Sequence, residues 1–149
     1  TLARQGQVVS DPERIELSNI VGACWKNVRT DAATIEIEDE VTIVGDRSRL
    51  QHIFENLFRN ATEHSGPAVT VRVGKIDGHG IYVEDTGPGI PEDVREAVFD
   101  AGYSSASGGT GFGLTIVKRI AEAHGWQVTA VDGTDGGARF AFTDVEFDT

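Results

Sequence analysis

Residues 81–91 read Ile81-Tyr82-Val83-Glu84-Asp85-Thr86-Gly87-Pro88-Gly89-Ile90-Pro91, and the remaining segments take their places around them. Ile81, Val83 and Asp85 alternate with Tyr82 and Glu84, the period-two pattern of a strand with one apolar face. That alternation aims Asp85 at the face of Ile81 and Val83, where an unpaired carboxylate is costly. The chain then enters Thr86-Gly87-Pro88-Gly89, whose glycines allow unusual dihedrals and close approach of a ligand to the backbone. An inward carboxylate beside a bare loop suits a ligand that donates a hydrogen bond from a flat apolar ring, and the exocyclic amine of adenine is one such group. The same residues also fit a plain turn in which Asp85 satisfies loop amides.

Outward from this stretch, Val69, Val71 and Val73 alternate with polar neighbours, and residues 77–80 turn the chain into Ile81. Upstream, Leu17, Ile20, Val21, Cys24 and Val28 recur at helical spacing. Residues 34–38 and 41–44 read as short strands, and Asp46 caps a helix running to about His64. Downstream, Pro91, Glu92 and Asp93 open a short helix ending near Phe99, with negative charge at its positive dipole end. Residues 100–110 are small and polar. A helix from about Gly111 carries Leu114, Val117, Ile120 and Ala121 on one face, and residues 126–131 and 138–142 form a closing hairpin. The acidic tail after Thr143 is expected to be solvated. Helices mixed with hairpin strands, without strand–helix–strand repetition, predict an α+β two-layer α/β sandwich: one mixed, mainly antiparallel sheet with helices on one face.

At 149 residues and 16.0 kDa the chain is long enough for one domain with a real core. It is 39% hydrophobic and 25% charged, as soluble globular proteins are. No apolar run has the length of a bilayer span, and Thr1-Leu2-Ala3-Arg4 does not open a signal peptide, so direct membrane contact is not expected. The start reads as a cut from a longer chain, with residues 1–9 the end of an upstream element and 10–149 the domain. Cys24 stands alone, which excludes a disulfide framework and a cysteine zinc site. A formal charge of −11, with ten arginines and three lysines, argues against nucleic-acid binding. The acid-rich, lysine-poor balance suits a salty cytosol, where repulsion is screened within ~3 Å at molar ionic strength.

Two further groupings carry chemistry. On the helix from Asp46, His52, Asn56, Asn60 and His64 fall four apart and form a polar stripe opposite Leu50, Ile53, Phe54, Leu57, Phe58 and Ala61. Asparagine is a mediocre helix former, and a carboxamide oxygen is a hard ligand suited to one place on Mg²⁺. An exposed helix face is the simpler reading, and for the stripe histidines it is preferred. The second grouping, Gly108-Gly109-Thr110-Gly111-Phe112-Gly113-Leu114, precedes a helix, where free amides and the dipole attract phosphate. It lacks the Gly-Lys-Ser/Thr ending of a Walker loop and the spacing of a dinucleotide fingerprint, and a flexible linker also fits it.

In this order, the three motifs resemble the N, G1 and G2 boxes of the ATP-binding catalytic domain of sensor histidine kinases, within the GHKL superfamily shared with gyrase, Hsp90 and MutL. They read Glu55-Asn56-Leu57-Phe58-Arg59-Asn60-Ala61, Glu84 to Pro91, and Gly109 to Leu114. Val98-Phe99 resembles the F box and residues 136–140 the last glycine motif, so the likeness spans roughly residues 10–143. The resemblance implies the Bergerat fold, ATP and Mg²⁺ as cofactors, Asn60 on the metal with Asn56 nearby, Asp85 on the adenine amine, Gly89 under the base, and Gly87 and Ile90 among the nucleotide-binding residues. It further implies that Gly109, Gly111 and Gly113 pass the phosphates, that Thr110, Phe112 and Leu114 belong to the same nucleotide-binding stretch, and that residues 100–110 form a lid.

Gyrase-like ATPases carry a glutamate one turn before the metal asparagine; here Asn56 stands there, and Glu55 is rotated about 100° away. The resemblance therefore implies a histidine kinase rather than a hydrolase, transferring phosphoryl to a histidine on a separate helical hairpin and onward to a response regulator. None of His52, His64, His79 and His124 lies in an acceptor motif, whereas Thr1–Gly6 resembles the very end of that hairpin. The implied setting is cytoplasmic, and the fragment without its hairpin is expected to be a monomer. Glu63 stands where many relatives have a lysine near the γ-phosphate, His64 matches a phosphate-contacting position, and residues 100–110 hold no cation. Mg²⁺, Arg59 or a group on the acceptor domain is left to neutralise the transferred phosphate. A hydrolase of the same fold and a degenerate docking module are the competing readings.

Overall fold

A computed structural model of the chain describes residues 12–28, 33–64 (His64 by its backbone alone), 68–76, 80–87, 89–90, 93, 95, 97–99, 113–133 and 136–147. The strands are β1 Glu13–Glu16, β2 Thr34–Ile37, β3 Thr42–Gly45, β4 Thr70–Ile76, β5 Gly80–Asp85, β6 Gln127–Asp132 and β7 Ala138–Thr143. The helices are α1 Leu17–Lys26, α2 Arg47–His64 and α3 Gly113–Ala123. Five strands form one sheet in the order β2-β4-β5-β7-β6, with β2 parallel to β4 and the other pairs antiparallel.

Strand β5 is central, and its residues are buried on both faces. On the helix side, the registers Val73↔Val83↔Phe140↔Ala130 and Ile81↔Phe142 align an apolar layer. Against it pack Leu17, Ile20, Val21 and Cys24 of α1, the α2 residues expected from the periodicity, and Val117 and Ala121 of α3. The Cys24 thiol is pushed up to about 12, chiefly by burial, and is inert at neutral pH.

In a strand with one apolar face, Tyr82 and Glu84 would ordinarily meet solvent. Instead Glu84 is 2% exposed, with Arg139 at 2.7 Å and Arg72 at 3.6 Å, and Arg72 also reaches Glu36 at 3.0 Å. The Arg139 guanidinium lies 4.1 Å from the centre of the Tyr82 ring, and the Tyr82 hydroxyl donates to Glu38. Burial and that bond to Glu38 raise the tyrosine's pKa. Long arginine stems thus cover a polar row while their charges cancel the buried carboxylate.

Two expectations are corrected. The strand at residues 41–44 does not join the main sheet: β3 pairs antiparallel with β1 in a separate two-stranded sheet. The tail after Thr143 is docked rather than solvated. Asp144 takes a left-handed turn (φ 63°), which lets the chain leave β7; Val145 is buried, Phe147 bridges Ile43, and the Val44 amide donates to Glu146 O at 2.9 Å. Val145 and Phe147 alternate with acids, so a strand-like segment hides behind an acidic composition.

Of the short helix expected before Phe99, the described end is a 3-10 turn, Ala97–Phe99. Phe99 packs edge-on against Phe140, and its carbonyl accepts from the Thr115 hydroxyl at 2.8 Å, which ties the turn to α3. No helix among the described residues is long and apolar enough to cross a membrane.

Candidate functional site

The last residue of the central strand is Asp85, 7% exposed and opposite Val71 of β4. Its Oδ1 accepts from the Gly87 amide at 2.9 Å and from the Ala138 amide at 3.2 Å. The turn-type bonding allowed by the sequence is therefore present for this oxygen, alongside the inward placement. The Thr86 amide donates to Thr70 O at 3.1 Å and the Thr70 amide to Thr86 Oγ1 at 3.0 Å, so the β4–β5 ladder continues one residue past Asp85. That fixes where the glycine loop begins.

The loop lies against the turn between β6 and β7. Gly89 has φ +82°, and a Cβ there would lie 2.8 Å from Gly136 O. At Gly137 a Cβ would lie 1.9 Å from Asp85 O, so no larger residue fits while the β5 end stays in place. Ile90 packs against the core, and its carbonyl accepts from Arg95 Nε at 3.2 Å. The same guanidinium pairs with Asp132 at the end of β6. Arg95 and Asp132 lie 37 residues apart, and no local pattern marks them as a pair.

Asp46 caps α2 as expected, accepting from the Arg49 amide at 3.2 Å. Its own amide donates to His124 Nε2 at 3.0 Å, while His124 Nδ1 donates to Ile120 O at 2.8 Å. Burial lowers the His124 pKa from its ordinary 6.5, opposed by the Ile120 carbonyl and the Asp46 carboxylate and assisted by Arg49.

On the α2 stripe, Asn56 Nδ2 donates to His52 O at 2.7 Å and Asn56 Oδ1 accepts from Arg59 Nη1 at 3.4 Å. A Cβ at Gly113 would stand 3.1 Å from Asn56 Oδ1, so α2 brings Asn56 against the first residue of α3. Leu114 packs on the core. Asn60 is half-buried, and its carboxamide makes no hydrogen bond with any described residue. Glu63 and His52 are exposed. The His64 side chain, Pro88, Gly109, Thr110, Gly111, Phe112 and the lid at residues 100–110 lie outside the described residues, as do residues 1–9. Among the described residues no group of three or more His, Cys, Asp or Glu could hold a metal. Asn60 can supply a carboxamide oxygen to a hard cation.

A carboxylate buried at the end of a central strand, glycine backbone pressed against it, and a helix presenting the Asn56 carboxamide to a second helix's first residue together define a ligand-binding α/β sandwich. The family described as histidine kinase-, DNA gyrase B-, and HSP90-like ATPase matches residues 45–148. The chain belongs to that family. It is 42% identical over 117 residues to the signal transduction histidine-protein kinase AfsQ2 of Streptomyces coelicolor, covering 74% of this chain and 22% of the relative. It is 35% identical over 143 residues to the histidine-protein kinase/phosphatase MprB of Mycobacterium bovis, covering 89% of this chain and 28% of MprB. The solved structure of a mycobacterial sensor histidine kinase MprB superposes with a TM-score of 0.76 at 27% identity, over 91% of this chain and 97% of that one. The chain thus spans about a quarter of the length of the curated relatives it matches.

Proposed function

We propose that this chain is the catalytic domain of a cytoplasmic sensor histidine kinase, binding Mg-ATP and passing the γ-phosphoryl to a histidine on a helical hairpin elsewhere in the parent protein. The observation that carries the reading is Asp85, a buried carboxylate at the mouth of a loop whose backbone is held by Gly136 and Gly137. Asp85 accepts from the adenine amine, and the bare Gly87–Ile90 backbone lies under the base. Asn56 and Asn60 face the phosphates, together with Gly113 at the start of α3 and the glycines before it. Asn60, whose carboxamide has no hydrogen-bond partner among the described residues, would hold Mg²⁺, which would supply charge neutralisation to the phosphates.

In the transfer, an imidazole nitrogen of the acceptor bonds to the γ-phosphorus as the bond to the β–γ bridging oxygen breaks. ADP leaves with that electron pair, and the imidazole gives up a proton. This domain's residues bind, align and exclude water; no general base is required of Asn56, and a water-activating carboxylate is not at its position. The phosphoryl group then moves to an aspartate of a response regulator. Residues 1–9 are read as the end of the acceptor hairpin, residues 10–149 as the catalytic domain, and the isolated domain as a monomer.

Differential scanning fluorimetry tests the binding step. Mg-ATP analogue is expected to raise the melting temperature of the unaltered chain, and EDTA is expected to reduce the rise. No shift with either nucleotide or metal would end the reading. Refolding yield against potassium chloride tests the salt-adapted surface, for which full stability in dilute buffer is the contrary result.

A further inference from the structure

The charge of bound ATP must be met within a chain carrying −11, and the described cations are mostly engaged elsewhere. Arg72 and Arg139 serve Glu84 on the far face of the sheet, Arg95 pairs with Asp132 beside the base loop, and Arg47 and Arg49 lie at the start of α2 near Glu13 and Asp46. Lys118 and Arg119 sit beyond the first turn of α3. Arg59 differs from all of these. It is exposed, and Glu63 stands one turn ahead on the same helix, the usual spacing for an ion pair. Yet its guanidinium turns the other way, to Asn56 Oδ1 at 3.4 Å, and among the described residues it meets no carboxylate. Asn56 Oδ1 is in turn the atom against which Gly113 opens α3.

We propose that Arg59 is the side chain of this domain that contacts the terminal phosphate of bound ATP, an inference resting on the ATP-binding reading above. A phosphoryl group passed to a histidine on another surface must lie at the open side of the site. Arg59 is exposed, whereas Asn56 is half-buried. Its present bond is long and made to a neutral oxygen, so little holds it back from a charged one. A guanidinium offers paired donors to a phosphate, and it spreads over the bridging and terminal oxygens as charge shifts toward ADP.

The test is isothermal titration of the chain with Mg-ADP and with a non-hydrolysable Mg-ATP analogue. Arg59→Gln is expected to weaken analogue binding by about tenfold, the effect of losing a charged hydrogen bond, while ADP binding changes by less than about twofold. Arg59→Lys is expected to recover part of the loss. Equal effects on both nucleotides, or none on either, would overturn the inference while leaving ATP binding intact. Failure of the unaltered chain to bind either nucleotide would overturn the binding reading, and the inference with it.

Discussion

Replacing Gly137 with alanine inserts one methyl group where the structure has no room for it. The added carbon would fall 1.9 Å from the Asp85 carbonyl oxygen and 2.6 Å from Asp85 Oδ1. The first is backbone of the central strand's last residue, and the second is a carboxylate oxygen held by the Gly87 and Ala138 amides, so neither swings aside freely. Relief requires β7 to move away from β5, which strains the adjacent bond from the Ala138 amide to Asp85 Oδ1. Overpacking of this kind costs about 3 kcal/mol, the upper part of the usual range. For a domain of this size that lowers the melting temperature by roughly 6–12 °C. Gly136→Ala is the matched control: its added carbon meets nothing within 4 Å, but φ is +86°, so only the left-handed backbone penalty of about 1 kcal/mol applies. Thermal melts of both variants, with and without Mg-ATP analogue, give the assay. Gly137→Ala is expected to be the less stable and to lose the nucleotide-induced shift. If it melts within a degree or two of the unaltered chain and keeps that shift, the backbone contact does not position Asp85.

Glu84→Gln leaves Arg72 and Arg139, about a quarter exposed, without their buried partner, so urea unfolding should show a loss of about 2 kcal/mol while nucleotide affinity is unchanged. Val145→Ala is expected to cost about 2 kcal/mol in the same experiment, whereas a solvated tail would give no effect. His124 is held neutral, and its protonation would both charge a half-buried ring and remove the acceptor for the Asp46 amide. Because its folded pKa lies below the ordinary 6.5, its contribution is full above that value and is lost as pH falls from there through the folded pKa. A smaller drop in stability for His124→Gln than for the unaltered chain between pH 7.5 and 5.5 is the expected sign; an equal drop would refute it.

Segments with strict periodicity were legible without coordinates. Strand β5, the hairpin of β6 and β7, and the buried faces of all three helices lie where alternation or helical spacing puts them. Strand β1 was not legible, because Glu13–Glu16 carries a single apolar residue, Ile15, and its partner β3 is distant in sequence. The tail was misread because acids at 144, 146 and 148 mask the two side chains that dock. At the site, Asp85 and Asn56 were marked by their positions on a strand and a helix. The Arg95 bridge from Ile90 to Asp132 has no sequence signature, since it is a tertiary contact between a loop and a strand end. The orientation of Arg59 away from Glu63 is likewise invisible until the side chain is placed.

The central claim is that Asp85 selects a purine carrying an exocyclic amine. Parallel titrations of ATP and ITP, which differ at that position by an amine against a carbonyl, test it most directly. The unaltered chain is expected to prefer ATP by about tenfold or more, and Asp85→Asn, which keeps an oxygen for the Gly87 and Ala138 amides, to reduce or abolish that preference. Equal affinity for ATP and ITP in the unaltered chain, or a preference untouched by the substitution, would contradict it.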